Sequence, residues 1–109
     1  MTKSVEIDNE NFQEVVANGT HLIELGGDGC SGCIALKPIV MDLLPKYPDV
    51  IYHNVVVTHR TSEICHRYEI DRIPALLVIH NGVLVASVKG FQPAEILDLW
   101  LEDVISKLK

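Results

Sequence analysis

Two thiols separated by two residues occur in the run Gly27-Asp28-Gly29-Cys30-Ser31-Gly32-Cys33. They fall where an apolar stretch gives way to a helical pattern. A thiol is nucleophilic only as thiolate, and the unpaired N–H groups and positive dipole end of a helix N-terminus favour that form. Cys30, nearest the helix end, is the candidate nucleophile. Cys33, one turn inward, is placed to attack Cys30, close a small ring and release whatever Cys30 has captured. The same spacing is also half of a zinc site. Zinc normally takes four ligands, however, and the chain has neither a second Cys-x-x-Cys nor paired histidines at ligand spacing. No metal and no cofactor are expected. Haem attachment is ruled out because Ile34, not His, follows Cys33.

Glu24 lies in His21-Leu22-Ile23-Glu24-Leu25, with apolar residues on both sides. A carboxyl buried there is costly when ionised, so its pKa should rise. A carboxyl titrating near neutrality can take a proton from Cys33 as that thiol attacks. The alternative is an acid facing water from a half-exposed strand. The third cysteine, Cys65, shares a helix face with Thr61, Ile64 and Tyr68 at i+3 and i+4 spacing, and reads as a buried, inert thiol. His66 points about 100° away around that helix, which makes a poor ligand pair. His21, His53, His59 and His80 are scattered and read as structural. Asp28 either tunes charge at the thiols or shapes the glycine-rich loop.

The elements that hold these residues follow from the hydrophobic pattern. Ser4 to Ile7 reads as a short edge strand. Asp8 and Asn9 are good N-caps for a helix carrying Phe12, Val15 and Val16, and Asn18-Gly19 stops it. His21 to Leu25 is a strand ended by Gly26-Gly27. From Ser31 to Tyr47 the apolar positions Ile34, Leu36, Ile39, Val40, Leu43 and Leu44 recur at helical spacing, with Pro38 inside. Val50 to Val57 is a β-branched run that predicts a buried, parallel strand. Thr58 to Tyr68 is a short polar helix. Ala75 to His80 and Val83 to Val88 are strands joined by Asn81-Gly82, a pair suited to the positive φ of a type I′ hairpin. Pro93 opens a last helix whose apolar face is Ile96, Leu97, Trp100, Leu101, Val104, Ile105 and Leu108. Trp100 therefore reads as core. This alternation predicts an α/β fold with three α/β/α layers around a central mixed sheet of four to five strands.

With 109 residues, 48% hydrophobic and 22% charged, the chain is expected to be one domain, 1–109, with a packed core. A net charge of −6 with sparse, scattered Lys and Arg argues against a nucleic-acid partner. No run approaches the roughly 20 apolar residues of a membrane span, so no membrane role is expected. Met1 to Asp8 has no apolar signal region, and three cysteines do not make a disulfide scaffold. A reducing cytoplasm is the expected location, and a monomer the expected state.

The Cys-x-x-Cys at a helix start after a strand resembles the thioredoxin family. Pro38 in the same helix matches, as do the segment Tyr68-Glu69-Ile70-Asp71-Arg72-Ile73-Pro74, the Asn81-Gly82 hairpin and Gly90 before the last helix. The match spans nearly the whole chain in register. It implies the thioredoxin fold and protein thiol–disulfide exchange through Cys30 and Cys33, in the reducing direction. It also implies an acid at Glu24 as proton acceptor, and a cis Pro74 opposite the cysteines. Ile73, Pro74 and Gly90 then form the surface where an extended substrate segment pairs with the Ile73 backbone. The implied partners are disulfide-containing protein substrates and a thiol or flavoprotein reductase as electron donor.

The chain departs from the family pattern in four places. Gly29 stands where Trp is usual, so the docking surface around Cys30 should be more open and coupling to a standard thioredoxin reductase weak or absent. Ser31-Gly32 replaces Gly-Pro, Glu24 replaces Asp, and the lysine commonly paired with that Asp falls at Val55. Two other readings stay open: a module that holds a partner on the Ile73–Pro74 surface with little turnover, and a metal site shared between two chains.

Overall fold

Strand β1 (Thr20–Gly26) is the spine of the fold, being buried on both faces and hydrogen-bonded along both edges. A computed structural model describes residues 6–108. In it, helix α1 (Phe12–Val15) precedes β1. Helix α2 (Ser31–Leu43) follows, then a 3-10 turn over Leu44–Lys46, strand β2 (Val50–Val56), helix α3 (Ser62–Arg67), strands β3 (Ala75–His80) and β4 (Val83–Lys89), and helix α4 (Ala94–Ser106). The sheet order is β2-β1-β3-β4. β2 runs parallel to β1, and β3 and β4 are antiparallel to their neighbours.

The alternation of side chains along β1 sorts the core into two layers. Leu22 points toward α2 and α4, where Leu36, Val40, Leu43, Leu97 and Leu101 meet Leu76 and Val78. Ile23 and Leu25 point the other way, to Phe12, Val16, Val55 and Ile64. By the same alternation Glu24 and Gly26 belong to the α2 face. The hairpin between β3 and β4 turns through Asn81 (φ 49°) and Gly82 (φ 84°), the left-handed pair the dipeptide predicts.

Several expectations are corrected. The N-terminal strand falls partly on residues outside those described, and Glu6 and Ile7 are not in a strand. Strand β2 is an edge among the described residues rather than a buried strand, and Ile51 and Val56 are each 49% exposed. Its β-branched run serves pairing and one covered face. Helix α2 stops at Leu43, because Pro45 cannot continue its hydrogen bonding. Ile34 and Ile96 lie off the buried stripes of their helices and are exposed. The histidines are not all scattered. His21 and His53 stack 5.2 Å apart, with His21 Nδ1 2.9 Å from His53 Nε2. His21 Nε2 lies 2.8 Å from the Asn18 carbonyl, which can only accept, so the neutral ring carries its proton there.

Candidate active site

Cys30 is the N-cap of α2. Its extended backbone (φ −86°, ψ 106°) starts the helix, and its Sγ accepts from the Cys33 backbone N–H at 3.2 Å. The helix thus aims an orphan donor at the sulfur, the arrangement that stabilises a thiolate. Cys33 lies one turn in, and the two are joined as a disulfide with Cα atoms 5.3 Å apart. Cys33 is buried, whereas Cys30 is partly exposed, so the outer sulfur is the one a macromolecular disulfide can reach.

Behind Cys33 the wall is β1. A Cβ on Gly26 would lie 3.3 Å from Cys33 Sγ, so the sulfur sits directly over that glycine. Glu24 is on the same face of β1, about 6.6 Å back along the strand. It is 2% exposed, and its Oε1 accepts a hydrogen bond of 2.8 Å from the Tyr52 hydroxyl on β2. Burial pushes the Glu24 carboxyl above its ordinary range; the Tyr52 hydrogen bond and the Lys37 ammonium pull it partly back. A cleft of about 190 Å³ joins these groups, lined by Glu24, Cys33, Asp28, Lys37, Asn54 and Val56 among others.

The cation near Glu24 is therefore Lys37, one turn beyond Cys33 on α2. Val55, the expected site of a missing lysine, pairs with Leu25 and packs on the opposite face of the sheet. Sequence reasoning missed both Lys37 and Tyr52. Lys37 carried a signal in its i+4 spacing from Cys33. Tyr52 carried a weaker one, since a phenol on a covered strand needs a polar partner.

On the opposite side of the cysteines the Ile73–Pro74 bond is cis, as the resemblance implied. Pro74 stands against the motif: a Cβ on Gly32 would lie 3.1 Å from Pro74 Cδ and 3.9 Å from Phe91 Cβ. The Ile73 side chain reaches the Gly27 backbone, where an added Cβ would be 3.0 Å from its Cδ1. Gly90 (φ 85°) donates its N–H to the Pro74 carbonyl at 2.6 Å, and Lys89 pairs with Asp71 at 3.2 Å. The end of β4 thus pins the segment before β3. Phe91, not singled out from the sequence, is 44% exposed beside this surface, and Ile34 is 69% exposed.

Gly29 has φ 73° and nothing within 4 Å of where a Cβ would stand, so the loop is open there. Its left-handed backbone also makes a large residue at that position strained. Cys65 is half-buried against the core layer that holds Phe12 and Ile64, with its thiol pKa raised by burial, and takes no part in the site. Trp100 packs partly buried against the α2–α4 layer. Among the described residues, no group of three or more His, Cys, Asp or Glu side chains is placed to hold a metal ion.

A cysteine pair at a helix N-terminus, faced by a cis proline and backed by a buried acid, defines the class of dithiol–disulfide exchange proteins built on an α/β/α sheet. The thioredoxin family model matches residues 3–103. A thioredoxin from Chlamydia pneumoniae is 31% identical over 91 residues, covering 84% of this chain and 88% of its own. One from Staphylococcus haemolyticus is 30% identical over 101 residues, covering 86% and 94%. Among solved structures, oxidised mitochondrial thioredoxin 3 from Saccharomyces cerevisiae superposes with a TM-score of 0.79 at 20% identity, covering 92% of this chain and 94% of that one. Thioredoxin f2 from Chlamydomonas reinhardtii gives 0.76 at 17% identity, covering 93% and 96%. The chain belongs to the thioredoxin family and is a thiol–disulfide oxidoreductase, of the protein-disulfide reductase kind.

Proposed function

We propose that the reduced protein cleaves disulfides in extended protein segments, with Cys30 as nucleophile, Cys33 as resolving thiol and Glu24 as proton acceptor. In the first step the Cys30 thiolate attacks a partner disulfide. A Cys30–partner bond forms, and one partner sulfur leaves as thiolate and is protonated by water. In the second step Cys33 gives its proton to Glu24 and attacks Cys30 Sγ. The Cys30–Cys33 bond forms, the Cys30–partner bond breaks, and the second partner sulfur leaves. Two electrons have then passed from the protein's dithiol to the partner. A thiol or flavoprotein reductase returns the oxidised pair to dithiol.

The observation that carries this reading is the position of the two sulfurs, Cys30 capping α2 and Cys33 seated over Gly26 on the face that buries Glu24. Ile73, Pro74 and Gly90 are proposed to dock the substrate backbone beside Cys30, with Gly29 leaving that approach open. The proposed setting is a single domain working as a monomer in the cytoplasm. Among the described residues no helix is long and apolar enough to cross a membrane.

Reduction of the interchain disulfides of insulin in the presence of dithiothreitol tests the reading. Wild-type protein accelerates precipitation of the insulin B chain, and, with dithiothreitol omitted, reduced Cys33→Ser accumulates a mixed disulfide through Cys30. Full activity in Cys30→Ser would overturn the assignment. Because Gly29 supplies no docking aromatic, NADPH-driven turnover with a standard thioredoxin reductase is expected to be weak. Turnover equal to that of an ordinary thioredoxin would refute that part alone.

A further inference from the structure

The Glu24 carboxyl has two oxygens, and the structure treats them differently. Oε1 accepts from the Tyr52 hydroxyl at 2.8 Å, and no second hydrogen bond to the carboxyl is found among the described residues. Tyr52 pairs with Leu22 across β1 and β2, which puts it on the Glu24 face, on the side of Glu24 away from Gly26 and Cys33. The cleft that Glu24 shares with Cys33 opens on the other side.

A phenol donates to a carboxylate, and it donates equally to the carbonyl oxygen of the protonated acid. Tyr52 can therefore keep Oε1 as an acceptor in both protonation states. Its own pKa is pushed far above the ordinary tyrosine value by burial and by Glu24, so it holds its proton throughout. The arriving proton is left with Oε2.

We infer that Tyr52 is a positioning residue for the resolving step: by occupying Oε1 it turns Oε2 toward the Cys33 cleft and keeps that oxygen as the one that takes the Cys33 proton. The inference rests on the role proposed above for Glu24. Glu is one methylene longer than Asp, so its head swings through a wider arc, and a fixed hydrogen bond on one oxygen removes that freedom. The other groups facing Glu24 are Lys37 and Cys33 from α2, Asp28 from the loop and Asn54 from β2; its β3 neighbour is Leu76, which carries no charge.

The test isolates the second step. Reduced protein in a Cys65→Ala background is mixed with a chromogenic aromatic disulfide in a stopped-flow instrument. The second phase of thiol release, Cys33 attacking the Cys30 mixed disulfide, is followed against pH. In Tyr52→Phe the acid limb of that profile moves up by roughly one pH unit, the worth of one hydrogen bond to a charged acceptor, so the rate on the limb falls about tenfold. The rate on the alkaline plateau also falls, by about threefold or more, because the freed carboxyl no longer holds Oε2 toward Cys33; an unchanged plateau would leave Tyr52 a charge effect only and overturn the positioning role. In Glu24→Gln the Cys33 proton goes to water instead, so the limb moves well up in pH, and adding Tyr52→Phe to it changes nothing further.

An unshifted limb in Tyr52→Phe, or the same shift in the Glu24→Gln background, overturns the inference while leaving the Glu24 role standing. A limb left unmoved by Glu24→Gln removes both. If Tyr52→Phe does not fold, carbon-detected NMR of the unsubstituted protein decides. The Tyr52 Cζ signal steps at the same pH as the Glu24 carboxyl if the two are coupled, and a flat Tyr52 signal overturns the inference.

Discussion

Strand β1 buries a titratable side chain toward each end, and the two are built in opposite ways. His21, 3% exposed, has both ring nitrogens engaged, one with His53 and one with the Asn18 carbonyl. Glu24, 2% exposed, has one oxygen engaged and lines a cleft with a reactive sulfur. A buried polar group with every hydrogen-bonding position filled holds the fold together. One left partly open beside a cleft is available for proton transfer. The difference lies in satisfaction, not in burial.

The sharpest way to break this contrast is at the reactive end. Cys30→Ser should lower insulin-disulfide reduction at least about a thousandfold while leaving the urea unfolding midpoint of the reduced protein nearly unchanged. At the other end the pattern should invert. His21→Ala leaves the Asn18 carbonyl and His53 without their partner and opens a cavity, so urea unfolding should show a loss of about 2–3 kcal/mol. Turnover per folded molecule should stay at the wild-type value. A His21 variant that folds normally but exchanges disulfides slowly would break the comparison.

Acid and alkali should act on opposite ends. Burial, with the neighbouring His21, holds His53 below its ordinary pKa of 6.5. Below that pH the unfolded chain binds more protons than the folded one, so stability falls as pH drops. His53→Gln should flatten that acid slope in denaturant titrations. Glu24 is shifted upward from 4.5, chiefly by burial. The folded chain then binds the extra proton, and the stability this confers is full below about 4.5 and is lost as pH rises through the raised value. Glu24→Gln should therefore gain stability relative to wild type with rising pH, even as it loses the relay. Equal pH slopes for wild type and variant would remove the buried carboxylate from the account. The smallest effect is expected for Lys37→Gln, which should move the acid limb of the resolving step upward by less than Tyr52→Phe, because Lys37 ranks below the Tyr52 hydrogen bond in holding Glu24 ionised.

Much of this arrangement is legible in the sequence, and the exceptions share a cause. The cysteines and the Asn81-Gly82 hairpin announce themselves because local chemistry decides them, a helix cap and a positive φ, whereas the cis Pro74 opposite the cysteines comes only with the family resemblance, since an X-Pro bond taken alone favours trans. Glu24 is visible because an acid between apolar neighbours is anomalous anywhere. Lys37 shows only its i+4 spacing from Cys33 on α2, and Tyr52 and the His21–His53 pair are harder still to see, because each of those depends on the register of β2 against β1. That register is set across a crossover through α2 and is not encoded in either strand's own pattern. The family's lysine position comes from the resemblance and falls at Val55, one position and therefore one sheet face away from Glu24. The edge position of β2 was lost for a related reason: β-branched residues suit a pleated surface whether one face is covered or two.

The loop at Gly29 carries a consequence for conformation as well as chemistry. Its left-handed backbone over empty space means that no single substitution can restore a large aromatic there without strain. Refilling the position costs about 1–2 kcal/mol of backbone strain unless the loop's conformation changes with it, so the open approach to Cys30 is held by backbone shape and not by the missing side chain alone.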